Sequence, residues 1–108
     1  MKLTDDTLKK LDERYESIAD DGLWETRASL YEVTDPETSE VAYAVLIMKT
    51  FYDGVETYDK GHKGEVFDNL EAALEYFNTK TTGMYKSPED EFLTRFGALL
   101  PKQKNKAN

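Results

Sequence analysis

Asp53-Gly54 stands between Thr50-Phe51-Tyr52 and Val55-Glu56-Thr57-Tyr58, and no other feature of the chain restricts its folding as much. An Asp-Gly pair between strand-forming runs favours a two-residue type I′ turn, because both central positions need positive φ and glycine has no Cβ to oppose it. Tyr52 is then expected opposite Val55, Thr50 opposite Thr57 and Lys49 opposite Tyr58. The chain must therefore contain antiparallel pairing on both sides of residue 54.

The run before this turn, Val41 to Met48, is eight residues long and continues through Tyr52 with β-branched and aromatic residues. It is apolar on both parities, which predicts a central strand buried on both faces, or buried on one and used for contact on the other. Crossing a bilayer takes about 20 such residues, so the run is a core strand and no membrane partner is expected. Trp24 to Thr34 starts with alternation, with Trp24, Ala28 and Leu30 against Glu25, Arg27 and Ser29. Asp35-Pro36-Glu37-Thr38-Ser39 supplies the fixed φ and side-chain acceptor that a turn needs. The strand after Gly54 is short and carries Glu56, which suits an edge. Lys60-Gly61-His62-Lys63-Gly64 reads as a loop from its glycines.

Helices are expected at both ends. Leu8, Leu11, Tyr15 and Ile18 recur at spacings of three, four and three, which predicts a helix over 5–20 with Asp5 and Asp6 at its positive end. Gly22 would close it. Asp68 and Glu71 resemble a capping box ahead of Leu70, Ala73, Leu74 and Phe77, giving a helix over 69–79. Ser87-Pro88-Glu89-Asp90 combines a serine cap, proline in the first turn and acids at the positive end. Phe92, Leu93, Phe96, Leu99 and Leu100 follow as an apolar stripe, and Pro101 stops the helix. The expected fold is α+β, a single domain over 1–101: an N-terminal helix, a three-stranded antiparallel meander and two C-terminal helices, α-β-β-β-α-α. Residues 102–108, KQKNKAN, are expected to be a disordered lysine-containing tail.

The chemistry is bounded mostly by exclusion. With 108 residues the chain can bury a core without staples. It has no cysteine and a single histidine, His62, which removes disulfides, thiolate metal sites and cysteine nucleophiles. Asp53, Asp59, His62, Glu65 and Asp68 cluster along one loop, and a divalent ion could draw oxygen ligands from its carboxylates, but the spacing fits no calcium loop. Gly61-His62-Lys63-Gly64 lacks the P-loop pattern, and no G-x-S-x-G elbow occurs. No catalytic residue, cofactor or metal is assigned, and the chain is read as no enzyme. Tyr31, Tyr43, Phe51, Tyr52 and Tyr58 could stack bases. However, residues 1–101 hold 11 bases against 22 acids, and that field repels phosphate. Direct nucleic-acid binding is not expected.

The acids remain. Asp12, Glu13, Glu16 and Asp20 crowd the first segment, and Glu25 and Glu32 the second, in a chain of formal charge -8. A dense field of one sign steers a basic partner and speeds its arrival; acids also simply keep a small protein soluble. Short, acidic and without motif, the chain is similar in general style to small proteins of phages and mobile elements. The expectation is a cytoplasmic, non-enzymatic binding protein, an inhibitor in kind, whose acidic face engages a basic, nucleic-acid-binding host protein. The competing expectation is a structural or regulatory domain that self-associates, as a homodimer, through its apolar sheet.

Overall fold

A computed structural model describes residues 7–97 of the chain. Four strands, β1 (Leu8–Ala19), β2 (Leu23–Thr34), β3 (Val41–Tyr52) and β4 (Thr57–Phe67), precede two helices, α1 (Leu70–Lys80) and α2 (Pro88–Phe96). The strands form one antiparallel sheet in sequence order. The architecture is α+β, but the order is β-β-β-β-α-α instead of the expected α-β-β-β-α-α. No helix among the described residues is long and apolar enough to cross a membrane.

The expected N-terminal helix is strand β1, and its helix-like spacing has a physical explanation. The ladder with β2 shifts register between Lys10 and Asp12, so Leu11 is an extra residue in a bulge. Leu8 and Tyr15 are seven apart, which is two turns of helix; it is also six strand steps plus one bulged residue. Leu8 pairs with Val33 and Tyr15 with Arg27, positions that share a face of β2. One pattern thus satisfies both periods, and the ladder decides between them. Gly22, read as a helix cap, instead closes the hairpin between Ala19 and Leu23, after Asp21 at φ +54.

The β3–β4 turn is also longer than expected. Tyr52 pairs with Thr57 and Thr50 with Asp59, so residues 53–56 form a four-residue connection. Asp53 accounts for the difference. Its Oδ1 accepts from the amides of Val55 and Glu56, both at 2.8 Å, and its own amide donates to the Glu56 carbonyl at 3.1 Å. Those backbone hydrogen bonds, that to Glu56 first, hold the Asp53 carboxyl below its usual range. Gly54 does take positive φ, at +103°. Nor is 60–64 a loop: β4 runs through it to Phe67. Lys60 is bulged out of the ladder and Gly61 sits at φ +134, and an edge strand tolerates both irregularities.

The two helices lie on opposite faces. On the first face Ala28, Leu30 and Val45 are buried against Ala73 and Phe77 of α1, with Tyr43, Ile47, Phe67, Leu74, Tyr76 and Met84 packed round them. Asn69, not Asp68, caps α1, its side chain accepting from the Ala72 amide at 2.8 Å. The chain then passes round the outer edge of β1, where Tyr85 and Tyr15 exchange backbone hydrogen bonds of 2.6 and 2.8 Å. It enters α2 at Ser87, whose Oγ accepts from the Asp90 amide as expected. Helix α2 covers a corner of the second face beside Tyr15, Ser17, Ala19 and Leu23. Its expected apolar stripe is half exposed, Phe92 and Leu93 at 51% each, whereas Glu91 is 5% exposed. Leu99, Leu100, Pro101 and the tail at 102–108 lie outside the described residues.

Glu91 is buried because β1 needs it. Ser17 donates its amide to Glu91 Oε2 at 3.2 Å and its hydroxyl to Oε1 at 2.6 Å. Arg95 pairs with Glu91 at 2.9 Å and donates to the Ser17 carbonyl at 3.2 Å. The segment 85–95 thereby closes the outward polar groups of Tyr15 and Ser17, which an edge strand would otherwise present to any passing chain. On the opposite side β4 has no further strand beside it among the described residues.

Candidate functional site

The first hairpin, residues 7–40, holds ten acids against Lys9, Lys10, Arg14 and Arg27. A strand turns alternate side chains to opposite faces, so the residues singled out from the sequence do not form one patch. Asp12 and Glu16 of β1 and Glu32 of β2 share the face that carries α1, by their pairing with Leu30, Thr26 and Tyr43. Glu13 and Glu25 lie on the other face. Asp20 is in the turn.

Three of the six are already engaged. Asp12 pairs with Arg14, whose guanidinium also lies 5.4 Å over the Phe77 ring. Glu13 pairs with Lys10 at 3.2 Å. Glu25 accepts the hydroxyl of Tyr15, and Arg27 stacks 4.8 Å from the centre of that ring. Glu16, Asp20 and Glu32 form no ion pair among the described residues. With Glu37 and Glu40, exposed in the β2–β3 connection, and with Asp21 and Asp35, they are hairpin acids that form no ion pair among the described residues. Strand periodicity, once β1 is recognised as a strand, assigns these acids to the two faces of the sheet; a helical reading of 5–20 cannot.

The Tyr15–Glu25 pair is a structural contact with a measurable titration. Burial first, then the hydrogen bond to Glu25 and its charge, push the Tyr15 phenol from its ordinary 10.0 up to about 12. The fold favours the protonated phenol. Its contribution is therefore complete below pH 10 and is lost as pH rises through about 12. Tyr15→Phe should remove this dependence: the stability difference between wild type and variant should shrink across that interval in urea titrations. A difference that stays constant there would dissociate Tyr15 titration from folding.

No group of three or more His, Asp or Glu side chains among the described residues is placed to hold a metal ion. Of the acids read as one cluster, Asp59 and Glu65 lie along β4, whereas Asp53 is in the turn before it and Asp68 follows it. Asp59 and His62 approach to 3.5 Å, and Glu65 pairs with Lys63 at 4.0 Å. The cavity beneath α2, about 290 Å³, is lined by Tyr15, Ser17, Glu91 and Arg95 together with Ala19, Leu23, Pro88, Phe92 and Phe96. Its polar groups are those already satisfying the β1 edge. Glu91, the most buried carboxylate here, carries no periodic signal in the sequence, because its role depends on a strand 74 residues away.

No family model matches the chain, and no curated protein or solved structure matches it.

Proposed function

We propose that the chain is a non-enzymatic binding protein whose first hairpin engages a basic partner in the cytoplasm, in the manner of an inhibitor of a nucleic-acid-binding protein. The observation that supports this is the uncompensated charge of Glu16, Asp20, Glu32, Glu37 and Glu40 on one hairpin. Carboxylates that are neutralised by neighbours cost more to redirect to a partner; these five are available. They line both ends of a rigid two-stranded element, which keeps their spacing fixed on encounter.

The corresponding variant is Glu16→Lys, Asp20→Lys, Glu32→Lys and Glu37→Lys together. Surface substitutions of this kind cost under about 0.5 kcal/mol each, so circular dichroism should report an unchanged fold. Capture of basic proteins from bacterial lysate, followed by mass spectrometry, supplies the partner. Its association with the variant should be slower by more than about tenfold at low salt, and the gap should narrow as salt is added. Equal binding at both salt concentrations would remove the hairpin charge from the function.

The second reading, self-association, is favoured by a different surface. Away from α2, the second face carries Met48 and Val66 at 40% and 67% exposure. Beside them, Leu8, Tyr31, Leu46 and Val66 surround a shallow apolar hollow of about 150 Å³. Burial of such a patch would drive pairing of two copies with little salt dependence. Tyr43 and Phe51, on the same strand, point to the α1 face and are unsuitable probes. Met48→Lys with Val66→Lys is the informative change, read by sedimentation.

A further inference from the structure

We propose that the cavity between the C-terminal turn of α1 and strands β3 and β4 binds a small phosphoryl-bearing molecule with a planar apolar body. Ile47, Lys49, Gly61, His62, Lys63, Tyr76 and Lys80 line it, and its volume is about 370 Å³, within the usual range of small-ligand sites. Three ammonium groups reach it from three elements, and no carboxylate is in its wall. In a chain of net charge -8, this grouping runs against the average field.

Two of the three lysines are free of carboxylate partners among the described residues. Lys49 and Lys80 form no ion pair among the described residues, and Lys63 meets Glu65 only at 4.0 Å. Lys80, in the last turn of α1, would ordinarily serve the helix's terminal carbonyls. Those carbonyls are met by threonines: Thr81 Oγ1 donates to the Phe77 carbonyl at 2.8 Å, and Thr82 Oγ1 donates to those of Asn78 and Thr79 at 3.1 and 3.2 Å. The Lys80 ammonium instead lies 5.6 Å over the Tyr76 ring. Lys60, bulged from the neighbouring ladder, lies 6.0 and 5.6 Å over Phe51 and Tyr58 and adds to the same positive field.

The wall also defines the neutral part of the ligand. Ile47 and the Tyr76 ring provide apolar surface, and opposite Lys49 the strand has Gly61, where a Cβ would meet nothing within 4 Å. A flat body therefore has room. The Tyr76 hydroxyl is closed to solvent, so Tyr76 offers the ligand its ring and not its hydroxyl. A carboxylate would neutralise one of three ammonium groups. A phosphate monoester carries close to two charges and three acceptor oxygens, which matches three point-charge donors.

Calorimetry with phenyl phosphate, inorganic phosphate and benzoate tests each part. Phenyl phosphate should bind at least about tenfold more tightly than either fragment, and Lys49→Gln with Lys80→Gln should weaken it by about tenfold or more. Both lysines are surface groups, so circular dichroism and melting of the variant should match wild type. Benzoate equal to phenyl phosphate would overturn the phosphoryl assignment, and inorganic phosphate equal to it would overturn the apolar body. No heat or thermal shift with any probe up to about 10 mM, or binding that survives the double variant, would overturn the site. None of these residues belongs to the acidic hairpin, so the outcome is separable from the function proposed above.

Discussion

Gly22→Ala should destabilise the domain by about 2–4 kcal/mol, near the upper end for a single added methyl. Gly22 has φ +149, a conformation that residues with a Cβ rarely adopt. Sterics add to the backbone cost. A Cβ there would lie 2.5 and 2.6 Å from two Phe51 ring carbons and 2.6 Å from the Tyr52 carbonyl oxygen. The ring cannot swing freely, because it stacks on Trp24 with centroids 4.7 Å apart. The carbonyl belongs to β3, whose Tyr52 is paired with Leu23 in the ladder. Urea unfolding measures the loss. A cost under about 1 kcal/mol would mean that the two hairpins do not approach as closely as described.

Glu91→Ala should cost about 2–4 kcal/mol, because it removes the acceptor for two Ser17 donors and leaves Arg95 without its partner. Glu91→Gln retains one acceptor oxygen and should recover part of the loss. Hydrogen exchange gives a sharper signature than melting alone. The Ser17 amide should exchange faster in Glu91→Ala, whereas amides in the β2–β3 ladder should change only in step with global stability. Uniform acceleration would show that Glu91 supports the whole fold without a particular role at the β1 edge.

The parts of this fold legible in the sequence are those fixed by residues close together. Ser87-Pro88 starts α2 as read, and α1 falls within a residue of its expected limits because its cap and apolar stripe are local. Positive φ at Gly54 is equally local. The errors occur where the deciding interaction is distant or where one pattern serves two periods. Leu8 and Tyr15 fit a helix by spacing, and only the pairing of β1 with β2 and the Leu11 bulge makes them neighbours on a sheet. Asp53 side-chain acceptance adds two residues to a turn that dipeptide preference would have kept at two. The lysine-lined cavity follows the same logic. Lys49, Lys63 and Lys80 are unremarkable in sequence because they lie 14 and 17 residues apart on separate elements, and they converge only when α1 packs across β3 and β4.

Closure of one side of the sheet also limits what aggregates the protein can form. Edge-to-edge polymerisation requires two adhesive borders per molecule, so that every added unit presents a fresh one. Here the Tyr85 bridge and the Glu91–Arg95 clamp occupy the β1 border at Tyr15 and Ser17, and no strand lies beside β4 on its outer side among the described residues. Two molecules joined through β4 would present at either end a β1 border interrupted at Tyr15 and Ser17. Growth beyond a pair is therefore hindered at those positions, and a strand pairing along the whole of β1 would first have to strip α2 from its place.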